Sequence, residues 1–211
     1  VDDMIDQMWE EAVAKPLENE KYCIYHFFAK DPEGRMVEFQ SFQHGLGPYM
    51  TADDVLKERR SVRTFDEREV EEEVLWKVFE LCRYSPTSMG SQSYYYVVVK
   101  NREKLRRIAA VRGSSSSAIA RAPLAVAICS DPSKTGAHIE DSCIASYHFI
   151  ISAWSYGLGT CWIAGMDRNE VKDALGIPKD HYIATVTPVG YPVDIPKQDF
   201  RKSAEELVKF V

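Results

Sequence analysis

Residues 58–65 read ERRSVRTF, and residues 85–99 read SPTSMGSQSYYYVVV. These two stretches frame the fold. Just before the first, Thr51-Ala52-Asp53-Asp54 opens a helix in capping-box fashion, with Asp54 in place of the usual Glu. That helix is expected to run to about Arg60. Between the two stretches, Val74, Leu75, Val78, Phe79 and Cys82 recur at helical spacing, which predicts a helix over 70–83. Ser85-Pro86 stops it, because the residue before a proline is pushed out of the helical region. Tyr94–Val99 is a continuous β-prone run and reads as a strand buried on both faces.

Working outward, Asn101 caps a short helix carrying Leu105, Ile108 and Ala109. Residues 114–117 are four serines, read as a loop or the start of a short helix. Leu124–Ser130 is a second buried strand. Residues 139–156 form a long helix, apolar on most of its circumference, with Gly157 at its end. A helix with so little polar surface is either central or covered by another subunit. Residues 159–165 read as a strand, Asp167 caps the next helix and Gly176 ends it. Residues 182–190 are the last strand and 203–209 a closing helix. Helices alternate with strands without a clean βαβ ladder, so the expected class is α+β, helices around a central sheet.

Upstream, residues 3–14 carry a helical apolar face that Pro16 ends. Residues 21–29 and 35–42 read as strands joined by the turn Asp31-Pro32-Glu33-Gly34. His44-Gly45-Leu46-Gly47-Pro48 is the best linker. Two domains are therefore expected, an appendage over 1–48 and a main domain over 49–211.

Composition narrows the function. Charged residues are 27% of 211 against 45% hydrophobic, which suits a folded domain rather than a disordered chain. The net charge of −6 disfavours nucleic acid or an anionic membrane as a global partner. No apolar run is long enough to span a bilayer, and the acidic start VDDMIDQMWEE is unlike a signal peptide. Five widely spaced cysteines with no C-x-x-C read as buried thiols in a reducing compartment, so cytoplasm is expected and no metal site is.

Against that acidic background, Lys57, Arg59, Arg60 and Arg63 put four cations in seven residues around Ser61. Guanidinium groups and a hydroxyl are what a phosphate needs. A solvated basic face at a helix end fits the same spacing.

The succession of motifs separates these readings. ERRSVRTF, then a helix, then SPTSMGSQSYYYVVV resembles the opening of the FMN-dependent nitroreductase family. There the pattern is R-R/H-S-x-R/K-x-F, then P-S-x-x-N-x-Q-P-W and an apolar strand. GLGTCWIAG after the long helix resembles the family's segment beside the flavin. VTPVGYP followed by FRKSAEEL resembles its end. The landmarks come in order over residues 51–211. The resemblance implies a nitroreductase-like fold, a mainly antiparallel sheet flanked by helices, in an intertwined homodimer.

It also implies roles. Arg59 and Ser61 would contact the FMN phosphate, with Arg60 beside them and Arg201 as a late phosphate ligand. Arg63 would reach the pyrimidine edge of the flavin. Ser88, Gly90 and Gln92 match the P-S-x-x-N-x-Q loop. Ile163, Ala164 and Gly165 match the segment whose backbone N–H lies near flavin N5. NADH or NADPH would deliver hydride, and a nitroarene, quinone or related aromatic acceptor would take it. No side chain is expected to act as a catalytic base, since the flavin carries the chemistry. The chain departs from the pattern where the family Asn is Gly90, where Pro-Trp is Ser93-Tyr94, and at Ala164, a position often taken by Glu.

Three smaller readings stay open. His148 and Asp141 on the long helix read as packing or surface groups, or as site or interface contacts. Trp154, Tyr156 and Trp162 read as core or as stacking partners. YHFFAKDPEGRMVEFQSF, residues 25–42, resembles the last hairpin of a vicinal oxygen chelate (glyoxalase-like) module, in which Glu38 would match a metal ligand. Half a module cannot close such a site, so the appendage reads as a relic or a dimer-stabilising arm. A flavin protein without turnover, or a metal-dependent binding module, are the alternatives to an enzyme.

Overall fold

The structure is a computed structural model and describes residues 17–19, 24–30, 36–42 and 51–211. Two compact units divide the chain, Val1–Tyr49 and Met50–Val211. In the first, β1 (Leu17–Asn19), β2 (Ile24–Lys30) and β3 (Met36–Phe42) form an antiparallel sheet in that order. The expected helix over 3–14 and the turn at 31–34 lie outside the described residues.

The second unit is built on a four-stranded antiparallel sheet. Its strands are β4 (Tyr94–Val99), β5 (Leu124–Ser130), β6 (Gly159–Thr160) and β7 (Tyr182–Gly190), in the order β4-β5-β7-β6. Around it lie α1 (Ala52–Glu58), α2 (Glu72–Cys82), α3 (Arg102–Ala110), α4 (Ala118–Arg121), α5 (His138–Ser155), α6 (Asn169–Leu175) and α7 (Ala204–Leu207). β5 shows why two helical layers form. Its residues are all buried, and the pleat sends alternate side chains to opposite faces. Ala125, Ala127 and Cys129 join Leu105 and Ile108 of α3 and Val171 of α6. Leu124, Val126 and Ile128 join Leu75 and Val78 of α2 and Phe149 and Ala153 of α5. Burying one such side chain contributes roughly 1.5–3 kcal/mol.

Several expectations need correction. β4 is an edge strand rather than one buried on both faces, and Val98 is 39% exposed. Its tyrosines have apolar bodies but polar tips, and those tips find partners. Tyr94 Oη donates to the Cys82 carbonyl (3.0 Å), and Tyr95 Oη lies 2.9 Å from His181 Nδ1. The strand expected over 159–165 pairs only at Gly159 and Thr160. Continuing the ladder would set Cys161 against Pro188, which has no N–H to donate. Threonine hydroxyls take over instead. Thr187 Oγ1 accepts from the Cys161 N–H (3.2 Å), while Thr185 Oγ1 accepts from the Ile163 N–H (3.1 Å) and donates to the Ile163 carbonyl (3.0 Å).

Asp167 does not cap α6. Its carboxylate accepts from the Ile183 N–H (3.2 Å) and pairs with the buried Lys172 (2.8 Å), while Arg168 holds the cap position without a side-chain bond. α1 stops at Glu58, two residues short of Arg60, because Arg59 turns extended. The closing helix is only one turn, Ala204–Leu207, though Ser203 and Glu206 give it a full capping box.

Candidate functional site

The basic segment after α1 lies along the free edge of β6. Ser61 forms a parallel bridge with Thr160, and the Val62 N–H donates to the Thr160 carbonyl (2.9 Å). The approach is close enough to require glycine at 159, where a Cβ would stand 2.7 Å from Val62 Cβ. Backbone pairing thus fixes where Arg59, Ser61 and Arg63 sit. Arg59 and Arg63 reach the neighbourhood of Cys161. Burial pushes that thiol up, and these two guanidiniums pull against the shift. It stays protonated at neutral pH and is not a nucleophile.

The arginines are not equivalent. Arg59 makes no side-chain hydrogen bond or ion pair among the described residues. Arg60 is already engaged, donating to the carbonyls of Lys57 (2.7 Å) and Arg59 (3.0 Å) and to Gln198 Oε1 (3.2 Å). It closes the end of α1 and pins the C-terminal segment. Among the described residues, the Arg63 side chain donates only to the Ser61 carbonyl (3.3 Å). Arg201 folds back on the carbonyls of Asp199 and Phe200 (3.3 and 2.9 Å), so the link from its segment to the cluster runs through Gln198 and Arg60. Trp154 packs with Val55 and Val62, on either side of Arg59–Ser61 in sequence, and its buried indole Nε1 has no hydrogen-bond partner among the described residues. That placement makes it core rather than a stacking platform.

Beyond Thr160 the chain runs extended through Ile163 to Ala164 and Gly165. Gly165 holds φ +68°, a conformation that favours glycine. The sequence reading missed Arg112, which donates to the Ala164 carbonyl, and Arg168, whose Nε donates to the Gly165 carbonyl (3.0 Å). A lone arginine before Gly113 carries no spacing signal. From Cys161 to Gly165 the edge spans about 13 Å at roughly 3.3 Å per residue. Its two ends differ in character: Arg59, Ser61 and Arg63 lie at one, and at the other a glycine-bearing main chain whose carbonyls at Ala164 and Gly165 are held by Arg112 and Arg168.

Ser88, Gly90 and Gln92 belong to a tight turn in which Met89 (φ 52°), Gly90 (φ 67°) and Gln92 (φ 46°) are all left-handed. Such backbone costs of order 1 kcal/mol or more at each non-glycine residue, so something must hold it. Asp141 does. It is 2% exposed, on the first turn of α5, and is neither a surface charge nor an interface group in this chain. Its carboxylate accepts from the Ser88 N–H (2.8 Å), Ser91 Oγ (2.8 Å) and Ser93 Oγ (2.9 Å). Burial opposes its charge, but those three donors, with His138 beside them, hold its carboxyl below the usual value.

The structure does not bring this turn to the basic edge. Thr160 pairs with Val189, which pairs with Leu124, whereas Tyr94, just past the turn, pairs with Ser130. The turn and Ser61 therefore lie at diagonal corners of the sheet. They are four strand spacings apart, roughly 19 Å, and six residues apart along β5, about 20 Å.

The comparisons with known proteins follow the same residues. The chain matches the nitroreductase family over residues 56–124 and 112–191. It is 32% identical over 150 residues to a protein of Methanothermobacter thermautotrophicus named as an NADH dehydrogenase/NAD(P)H nitroreductase, covering 68% of this chain and 78% of that one. Among solved structures it is similar to an FMN-dependent nitroreductase from Clostridium difficile R20291 (28% identity, TM-score 0.68, 74% of this chain and 96% of that one). A Bacteroides thetaiotaomicron protein, titled as an NADH dehydrogenase/NAD(P)H nitroreductase, matches at 26% identity and TM-score 0.70, over 75% of this chain and 96% of that one. The antiparallel sheet with helices on both faces is the fold these proteins share. The chain belongs to the nitroreductase family.

The family match begins at residue 56 and gives the glyoxalase-like reading of residues 25–42 no support. Glu38 sits on β3 opposite Phe28. Among the described residues, no group of three His, Cys, Asp or Glu is placed to hold a metal, and no helix is long and apolar enough to cross a membrane.

Proposed function

We propose that this chain is an FMN-dependent NAD(P)H oxidoreductase that reduces nitroaromatic, quinone or related conjugated acceptors. The observation that carries it is the edge of β6, where Ser61 is bridged to Thr160 beside an Arg59 without a side-chain partner among the described residues, with the left-handed Gly165 roughly 16 Å further on at about 3.3 Å per residue. An elongated group with an anionic tail and a flat ring fits that distribution. The likeness to a protein named as an FMN-dependent nitroreductase supports the same reading.

When bound, FMN would supply hydride transfer between the reduced nicotinamide and the acceptor. The chain supplies the rest. Arg59 and the Ser61 hydroxyl would hold the phosphate, and Arg63 would place positive charge at the pyrimidine edge, where it favours reduction. Ile163, Ala164 and Gly165 lay main chain against the ring, where a glycine permits close approach. Arg60 and Arg201 act on the site through the segment they anchor.

The diagonal separation supports a site shared with a second copy. We place the turn Ser88–Gln92 of one protomer against the basic edge of another, so that the site exists twice in a homodimer. The groove between α2 and β4, about 720 Å³ and lined by Leu75, Trp76, Phe79, Tyr96 and Val98, then takes the carboxy-terminal Leu207 and Phe210 of the partner. Both are exposed in the single chain, and an uncovered edge strand invites such pairing. Residues 1–48 are an appendage to the 49–211 enzyme domain that stabilises this dimer.

The test is the purified protein's visible spectrum together with steady-state oxidation of NADH and NADPH in the presence of a quinone. Bound flavin with turnover supports the proposal. Bound flavin without turnover from either donor reduces the chain to a flavin carrier, and absence of flavin removes the redox reading.

A further inference from the structure

A second concentration of cations lies close to the first. Arg102 and Arg106 are one turn apart on α3, and Arg121 ends α4. Together with Glu67 and Ala120 they line a hollow of about 500 Å³ whose surface is mostly polar. Among the described residues none of the three arginines has an ion pair, and the Arg106 side chain makes no hydrogen bond. The other two spend only part of their donor capacity. Arg102 donates to the Ala122 carbonyl (2.7 Å), and Arg121 to Ser117 Oγ (3.3 Å) and the Arg63 carbonyl (3.4 Å). A guanidinium has five donors, so all three can still grip an anion.

Their placement is unfavourable for the isolated fold. Arg102 stands in the first turn of α3, where the helix dipole disfavours a cation. Three guanidiniums around one hollow repel one another in a chain whose net charge is −6. A bound dianion would reverse both terms, and a phosphomonoester suits the planar forks of arginine.

Position identifies the source of that phosphate. Arg121 touches the carbonyl of Arg63, so the hollow adjoins the basic end of the β6 edge rather than the Gly165 end. A dinucleotide with its nicotinamide at Gly165 and its adenosine half turned toward Arg63 would bring that half to the hollow. NADH and NADPH differ there by a single 2′-phosphate. We infer that Arg102, Arg106 and Arg121 form a subsite for that group, which makes NADPH the preferred donor. The inference rests on the oxidoreductase reading above. Glu67 at the rim opposes the anion and limits the preference.

The experiment uses the flavin-loaded protein and Arg106→Ala, which removes an exposed side chain that holds nothing in place. The wild-type protein should favour NADPH in kcat/KM. In the variant the ratio of kcat/KM for NADPH to that for NADH should fall at least fivefold, as expected for one charge-assisted hydrogen-bonding partner. Glu67→Gln should raise the ratio. A wild-type preference for NADH, or a fall of less than fivefold, overturns the subsite. Titration calorimetry with 2′,5′-ADP decides the matter even if neither donor turns over. Binding that weakens at least fivefold in Arg106→Ala supports the subsite, whereas a smaller loss, or no binding to the wild-type protein, overturns it. Failure of turnover with intact 2′,5′-ADP binding would count against the redox reading alone.

Discussion

Gly159 and Val62 meet so closely that any side chain at 159 would penetrate the valine, with a Cβ falling 2.7–2.8 Å from three of its carbons. This contact is what lets the basic segment lie down on β6. Gly159→Ala should therefore separate Ser61 from Thr160, lower stability by about 1–3 kcal/mol through overpacking, and loosen flavin. Thermal denaturation and flavin content, measured on the same preparation, check both effects. A variant with wild-type stability and full flavin would show that the contact yields.

The arginines should divide by role. Arg59→Ala removes a guanidinium with no partner among the described residues, so it should weaken FMN affinity about 10- to 100-fold while leaving the melting temperature nearly unchanged. Arg60→Ala removes the bonds to Lys57, Arg59 and Gln198, so its loss should appear in stability as well. Fluorescence titration of the flavin-free protein, with a melting curve alongside, distinguishes them. Identical behaviour of the two variants would contradict the division.

Asp141→Asn tests the buried carboxylate. The amide keeps the shape but loses charge and acceptor capacity towards Ser88, Ser91 and Ser93, which should cost about 2–4 kcal/mol. The carboxyl is held below its usual value in the folded protein, so its contribution is fully present above the unfolded pKa, near 4, and is lost as the pH falls through the lower folded value. Urea unfolding at neutral and acid pH should show the wild-type and variant stabilities converging in acid. A gap that stays constant with pH would refute a charge-based role.

Much of this was legible in the chain, for identifiable reasons. The apolar run Leu124–Ser130 announced a strand covered on both faces, and β5 is one. Thr51 and Asp54 announced a cap, and both of its bonds form. β4 misled because tyrosine counts as apolar in a run yet carries a hydroxyl that reaches polar partners from an edge. The segment after Thr160 misled because its pattern is that of a strand, while Pro188 on the partner strand withholds the hydrogen bond. Asp141 could not be recognised as an organiser, since its three donors lie some fifty residues earlier. Arg112 was invisible because only the fold brings it to Ala164.

Thr185 and Thr187 supply what Pro188 cannot. Thr185→Val keeps the shape but strands the buried Ile163 N–H and carbonyl. It should cost about 2–3 kcal/mol and shift the Ile163–Gly165 main chain. The expected signature is lowered stability together with an altered near-ultraviolet or visible flavin circular dichroism spectrum. Destabilisation with an unchanged flavin spectrum would place the ring elsewhere.

The most direct measurement is the absorption spectrum of the purified chain before and after incubation with FMN, followed by desalting. A retained flavin band near one equivalent per chain, lost in Arg59→Ala, is the expected result. A colourless protein that takes up no FMN would contradict the assignment of the β6 edge as the flavin site.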